Sequence, residues 1–364
     1  MKIGYIAETL ITNKSGYTHH VLKMCDAFSN KNNVCLIIPW IKKKINYTKI
    51  KKDFLFTSKK KFIIKDILKV RISNFFLRIF FGFKAAKYIK KNYYDIIITR
   101  SLISSFFLIL LKINHFLEIH SELRGLTGFL MNDLNFINSK YILRVIFISN
   151  ALRKKFTNIN KKRTLILHDA VDIKNFKKKI KSTKIKTATY VGSFYEGKGV
   201  ELIIDIAKKF KKLNFDLYGE LNRDFGNIPN NVKLHGYVNY KKVPNILKKS
   251  DILLLPSAKL QFGRSSNVNI ANYNSPLKMF DYLAAGKILI STKLAGVCEI
   301  LKHNYNSLIV KKYNIKLWVK CLDDVLNNKY DLVKIRKNSI KTSYKFTWEK
   351  RANKIINVYK KIKN

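Results

Sequence analysis

Ala188-Thr189-Tyr190-Val191-Gly192-Ser193-Phe194-Tyr195-Glu196-Gly197-Lys198-Gly199-Val200 is the stretch on which the fold turns. A β-rich run stops at a glycine and a glycine-containing turn follows. Apolar residues then recur at helical spacing through Val200, Ile203, Ile204 and Ala207, predicting a helix over about 200–213. Outward from this unit, residues 215–218, 232–235, 251–255, 288–292 and 308–310 read as further short strands. The first half repeats the pattern, with strands expected at 2–7, 34–39, 95–99, 116–120, 145–149 and 165–167, and helices at 17–28 and 101–111. Strands alternating with helices predict an α/β protein with two doubly wound parallel sheets facing across a cleft. The junction falls near 169–186, which is charged and poorly patterned, and residues 338–364 read as helical beyond the second sheet. Ligands of such sheets lie beyond the carboxyl ends of the strands, so the informative residues are those just after strands.

The chain has 364 residues, which suits about two domains of roughly 150 residues each. Apolar residues at 47% and charged residues at 26% fit a folded globular protein, and 14 Gly with 5 Pro exclude collagen-like or linker-rich designs. Lysine and arginine exceed aspartate and glutamate by 72 − 23 = 49. Nucleic-acid binding would focus that charge on one face. Here lysine is spread from Lys42-Lys43-Lys44 to Lys360-Lys361, among the Asn, Ile, Phe and Tyr that AT-rich codons also supply, so compositional drift explains most of it. Attraction to phosphates or anionic lipid accounts for the rest, and no nucleic-acid partner is expected. Cys25, Cys35, Cys298 and Cys321 form no Cys-x-x-Cys pair, so they read as buried thiols rather than a disulfide framework or a zinc site. No signal peptide precedes the first strand, and the apolar run 101–111 is too short to span a bilayer. A cytoplasmic location is expected, with peripheral attachment to the inner face of a membrane as an option.

Two segments carry chemistry. In Gly192–Gly199, backbone N–H groups at a helix start can face an anion, and Lys198 adds a full charge beside them. In Ser275-Pro276-Leu277-Lys278-Met279-Phe280-Asp281-Tyr282-Leu283-Ala284-Ala285-Gly286, Ser275 suits an N-cap, Pro276 the first helical position and Gly286 the stop. Lys278 and Asp281 lie three apart on one face, where the cation can meet phosphate and the carboxylate a sugar diol; otherwise they form a surface ion pair.

Together with Val232–Val238, Asp251–Ser257, Gly296–Leu301, Asn306–Val310 and Phe346-Thr347-Trp348-Glu349-Lys350-Arg351-Ala352, these segments follow one ordered set. In the first half, Gly16…His20, Glu118-Ile119-His120-Ser121 and His168-Asp169-Ala170-Val171-Asp172 extend it. The chain thereby resembles family four of the nucleotide-sugar glycosyltransferases, of the GT-B type with two Rossmann-like domains. The resemblance implies an N-terminal, acceptor-side domain over 1–170, a C-terminal donor-binding domain over 171–347, and a terminal helix over about 348–364 that returns to the first domain. It implies a retaining, metal-independent transfer from a UDP- or GDP-linked sugar to a glycan or lipid-linked acceptor in cell-surface polysaccharide synthesis, with no cofactor. No Asp-x-Asp sequence of the metal-clamping kind occurs.

The same resemblance assigns residues. Lys198 would act on the donor diphosphate and His120 would line the catalytic centre. Gly16, Ser193, Gly199, Gly236, Ser275, Leu277, Lys278 and Asp281 would bind the donor, with His20 (ahead of His19) and Glu122 on the acceptor side. Three positions depart from the family: Ser193 stands where an arginine is usual, Asp281 where a glutamate binds ribose, and Tyr273 where a second glutamate is often found. Trp348 and Arg351 would be structural. The aromatic run 72–83, flanked by Lys69, Arg71 and Lys84, reads either as a core helix or as a membrane-interface helix. The readings set against transfer are a sugar-nucleotide epimerase of the same fold and a basic nucleic-acid-binding protein.

Overall fold

Continuous apolar runs such as Ile96-Ile97-Ile98 are what a parallel strand covered on both faces requires. In the computed structural model, which describes residues 1–12, 15–41, 45–176, 184–221, 223–263 and 266–364, those runs build two separate sheets. The chain divides into two compact units, one of Met1–Ile148, Leu152–His168 and Trp348–Asn364, the other of Ser149–Ala151 and Asp169–Thr347.

Unit 1 contains β1 (Lys2–Ile6), β2 (Asn33–Ile38), β3 (Ile63–Asp66), β4 (Ile96–Thr99), β5 (His115–Ile119), β6 (Ile142–Phe147) and β7 (Thr164–Ile166). They form a seven-stranded parallel sheet in the order β3-β2-β1-β4-β5-β6-β7. Unit 2 contains β8 (Thr187–Val191), β9 (Asn214–Tyr218), β10 (Val232–Leu234), β11 (Ile252–Leu255), β12 (Phe262–Gly263), β13 (Ser266–Asn269), β14 (Ile288–Thr292) and β15 (Leu308–Val310). Its main sheet is parallel, in the order β10-β9-β8-β11-β14-β15, and β12 and β13 pair apart from it as an antiparallel hairpin. In each main sheet the strand order reverses direction at one point, between β1 and β4 and between β8 and β11.

The doubly wound α/β class is as expected, and several local expectations are corrected. β3 was not anticipated: as an edge strand its residues alternate between exposed and half-buried, so they lack the continuous apolar signature. The helix expected to reach residue 213 stops at Ala207. Asn231 Nδ2 donates to the carbonyls of Ala207, Phe210 and Leu213 at 3.1, 3.0 and 2.9 Å, and so satisfies the chain end as a series of turns. The terminal stretch is two helices, Leu332–Ser343 and Trp348–Lys363, broken where Thr347 bridges Val171. Of the expected buried thiols, Cys298 is half-exposed. The junction at 169–186 lies partly outside the described residues, as does Lys42-Lys43-Lys44.

The aromatic run at 72–83 opens the helix Phe75–Lys91, which is buried along one part of its surface and exposed along another. Phe81, Gly82, Ala85, Ala86 and Ile89 are buried, and a Cβ at Gly82 would meet Ile103 Cγ2 at 2.7 Å. Phe75, Phe76 and Phe80 are exposed, Phe76 by 79%. Among the described residues no helix is long and apolar enough to cross a membrane.

Candidate active site

In unit 2 the chain leaves β8 at Gly192, where the absent side chain leaves the space that the Lys278 ammonium fills. Lys278 lies in the first turn of the helix Leu277–Ala285, with its Nζ 3.8 Å from the Tyr190 ring centroid. Gly199, at φ +83°, begins the helix Val200–Ala207, and any Cβ there would land on the Pro256 carbonyl just after β11. The turn before it carries Lys198, whose Nζ donates to Gln261 Oε1 at 3.0 Å. Burial pushes Lys198 down to about 8, and burial together with the Lys198 charge holds Lys278 well below the ordinary lysine range. Among the described residues neither ammonium is paired with a carboxylate. Two cations share the reversal point of the sheet with no carboxylate partner among the described residues, an arrangement that a diphosphate would neutralise.

The remaining residues of this set sit around that point. Ser193 offers its carbonyl to the Tyr190 hydroxyl at 2.8 Å. Asp281 is buried and accepts from the Tyr240 hydroxyl at 3.0 Å; the ion pair that its spacing from Lys278 allowed does not form, because Lys278 turns to Tyr190. Gly236, at φ +69° after β10, has open space where a Cβ would be, and its carbonyl accepts from Gly219 N–H at 2.9 Å. Ser275 is not the N-cap. Pro276 takes that position with extended backbone and no side-chain cap, so helical residues begin at Leu277, and buried Ser275 Oγ accepts from Asp169 N–H at 3.3 Å. Tyr273 is buried, its carbonyl held by Ser149 Oγ at 2.6 Å.

In unit 1, Gly16 is the first residue of the helix Gly16–Ser29, capped by Ser15 Oγ on Thr18 N–H at 3.2 Å. One turn on, His20 is buried against Trp348, ring centroids 5.1 Å apart. Glu118 lies in β5 and His120 just beyond it. Glu118 Oε1 is 2.6 Å from His120 Nε2, 2.8 Å from His20 Nε2 and 2.8 Å from Arg351 Nη2, while Oε2 accepts from the Tyr5 hydroxyl at 2.9 Å. Burial alone would raise the Glu118 pKa; Arg351, His20 and the bond from His120 outweigh it and hold the carboxyl well below its usual range. Burial, reinforced by the Arg100 charge, pushes His120 down to about 3. A neutral His120 beside a carboxylate must carry its proton on Nε2, which leaves Nδ1 as a hydrogen-bond acceptor. Glu122 stands apart from this cluster, 3.7 Å from Arg124 and 3.6 Å from Lys155.

His20, Glu118 and His120 place their ligand atoms within 4.8 Å of one another, the spacing of a metal site. The Arg351 guanidinium on the shared oxygen supplies the positive charge that a metal ion would bring, so the trio reads as a hydrogen-bonded hub. Sequence reasoning passed over Glu118, Tyr190, Tyr240 and Gln261, and set Arg351 aside as structural. The signal for Glu118 was available: one carboxylate inside the otherwise apolar strand Phe116-Leu117-Glu118-Ile119 demands partners. Gln261 had none, because it directly precedes the hairpin of β12 and β13, which no periodic pattern in the sequence announces.

Comparison with known proteins bears on these two clusters. Residues 171–346 match the family described as glycosyl transferases group 1. That match lies within unit 2. The chain is 24% identical over 267 residues to the uncharacterized glycosyltransferase MJ1178 of Methanocaldococcus jannaschii, covering 69% of this chain and 70% of that protein. A crystal structure of a glycosyltransferase from Rickettsia africae superposes with a TM-score of 0.74 at 16% identity, over 99% of this chain and 98% of the other. Anabaena HepE, solved with UDP and glucose, gives a TM-score of 0.73 at 14% identity, over 99% of this chain and all of HepE, 100%. The architecture of two parallel-sheet, Rossmann-like domains is that of the GT-B glycosyltransferases. These findings support a glycosyltransferase of the group 1 type.

Proposed function

We propose that the protein is a retaining, metal-independent glycosyltransferase of family four, moving a sugar from a UDP- or GDP-linked donor to a glycan or lipid-linked acceptor in cell-surface polysaccharide synthesis. The observation that carries this reading is the pair Lys198 and Lys278, two cations at the reversal point of the unit 2 sheet without a carboxylate partner among the described residues. UDP as the nucleotide is favoured by the likeness to HepE, which was solved with UDP and glucose.

On this reading the bond from the anomeric carbon to the diphosphate breaks as the acceptor oxygen bonds to that carbon on the same face. The acceptor proton passes to the departing phosphate oxygen. Lys198, Lys278 and the backbone N–H groups of the Val200–Ala207 and Leu277–Ala285 helices stabilise the charge that develops on the leaving group. Asp281 binds ribose, and Gly236 lies beside the base. His120, neutral and fixed through Nε2, accepts a hydrogen bond from a sugar hydroxyl through Nδ1; it forms no covalent bond. Peripheral binding to the inner face of an anionic membrane is supported by the exposed Phe75, Phe76 and Phe80, with Lys84 5.1 Å from the Phe80 ring centroid and Lys87 4.5 Å from that of Phe83.

A panel of UDP- and GDP-sugars, scored for release of the nucleoside diphosphate with and without a chelator, tests the reading. Release from at least one donor, undiminished by chelator and abolished by Lys198→Ala with Lys278→Ala, is expected. Activity that survives the double change sinks the diphosphate assignment. An inverted anomeric configuration in the product sinks the retaining one.

A further inference from the structure

The carboxyl ends of β1 and β4 mark the reversal point of the unit 1 sheet, the place where doubly wound sheets open to ligands. Unit 2 sets Lys198 and Lys278 at its own reversal point. In unit 1 the residue there is Arg100, directly after β4, whose N–H donates to Ile6 O at the end of β1, 3.1 Å away. Its guanidinium lies over the Tyr17 ring, Cζ 4.0 Å from the centroid. Nη1 is buried and meets no acceptor among the described residues. The carboxylate that follows β1, Glu8, is already engaged by Ser101 Oγ at 2.6 Å and Arg78 Nε at 2.7 Å. Arg351 in the same unit shows the contrast, since it donates to Glu118 and to the Leu167 and His168 carbonyls. A buried donor without an acceptor is destabilising in the free protein, and an oxyanion that accepts from it removes the penalty.

We propose that Arg100 is an anion-binding residue of unit 1 that takes a phosphate or carboxylate carried by the acceptor. β4 and β5 are adjacent, with Thr99 opposite Leu117, so Arg100 and His120 emerge on the same edge. Arg100 lowers the His120 pKa, as a charge at that edge should. An acidic sugar or a sugar phosphate offers this edge both of the groups it needs: an oxyanion for the planar guanidinium and a hydroxyl for Nδ1. The assignment of the anion to the acceptor rests on the transferase reading; the oxyanion site itself rests on the geometry of Arg100.

The test uses the full chain, isotopically labelled at its histidines and titrated with inorganic phosphate near neutral pH at constant ionic strength. The His120 ring signals are assigned by their loss in His120→Asn. Phosphate is expected to move them in the wild type and equally in the Lys198→Ala, Lys278→Ala double variant. Arg100→Gln should abolish the movement, and Arg100→Lys, a charge without the fork, should leave a weakened response. His115, buried in the same unit and bonded to Ser105 Oγ at 2.7 Å, should keep its signals throughout and so shows that each variant is folded. No response in the wild type, or an equal response in Arg100→Gln, overturns the proposal. A response given by UDP but not by phosphate, and lost in the double lysine variant, places the anion on the donor and overturns the acceptor assignment. Failure of the transferase reading would show instead as no nucleotide release from any donor, with the phosphate titration intact.

Discussion

Glu118 in unit 1 and Lys278 in unit 2 are both charges drawn out of water beside a parallel sheet, and their neighbours treat them in opposite ways. Glu118 has Arg351, two histidines and a tyrosine hydroxyl around its two oxygens. Lys278 has an aromatic face and another lysine. Complete pairing makes the first cluster a rigid support for His120. The second is stressed in the free protein, because two desolvated cations lie together without a carboxylate partner among the described residues. On the proposed function the contrast separates a charge that holds structure from a charge that awaits a ligand, and it can be broken by measurement.

The largest effect is expected from Arg351→Met. Removing one partner of a buried ion pair costs about 3–5 kcal/mol, because the other charge stays buried without it. Denaturant unfolding should show that loss, and a loss under about 1 kcal/mol would reduce the hub to an ordinary surface pair. The pH dependence has a definite sign. The folded Glu118 pKa is depressed, so its stabilisation is present above the unfolded value of about 4.3 and is lost as pH falls through the folded value. In Arg351→Met that acid-side dependence should shrink.

Lys278→Ala should behave in reverse. Loss of a group that stabilises the leaving diphosphate is expected to lower kcat/KM by about 10²–10³-fold. Stability of the free protein should hold or rise, since a desolvated cation is removed. A variant that loses stability as Arg351→Met does would show that Lys278 is structural and erase the contrast between the units.

The fold and part of the candidate site were legible in the sequence for one physical reason. Parallel strands, glycine turns and helix starts are local patterns, so Gly192, Lys198, Gly199 and Lys278 could be singled out from spacing. Side chains that converge from distant segments could not. Arg351 reaches Glu118 across 233 positions, and Gln261 reaches Lys198 across 63. Neither approach leaves a periodic trace. Ser275 was misplaced for a related reason: propensity favours it as a cap, but its hydroxyl is claimed by Asp169, which no local rule anticipates.

Alkaline pH sharpens the comparison by a smaller amount. Lys198 loses its proton at about 8 in the free protein. UDP affinity, measured by calorimetry, should therefore weaken above that pH by up to about tenfold per unit. Stability of the free protein should move the other way. A lysine whose folded pKa is lowered destabilises the fold while it is charged, so stability rises from about pH 8 toward the unfolded value of about 10.4. A UDP affinity that is flat across this range would mean that Lys198 is not the cation the diphosphate meets.

The smallest change in stability belongs to the exposed half of the Phe75–Lys91 helix. Phe76, 79% exposed, contributes little to the core, so Phe76→Ser should leave unfolding within about 0.5 kcal/mol of the wild type. Binding to vesicles containing phosphatidylglycerol should nonetheless drop at low salt, because each buried aromatic ring adds apolar transfer energy that the surrounding lysines cannot replace. Retained binding in Phe76→Ser would assign any membrane attraction to the diffuse charge of +49 alone, and the helix would then be a core element with an unused face.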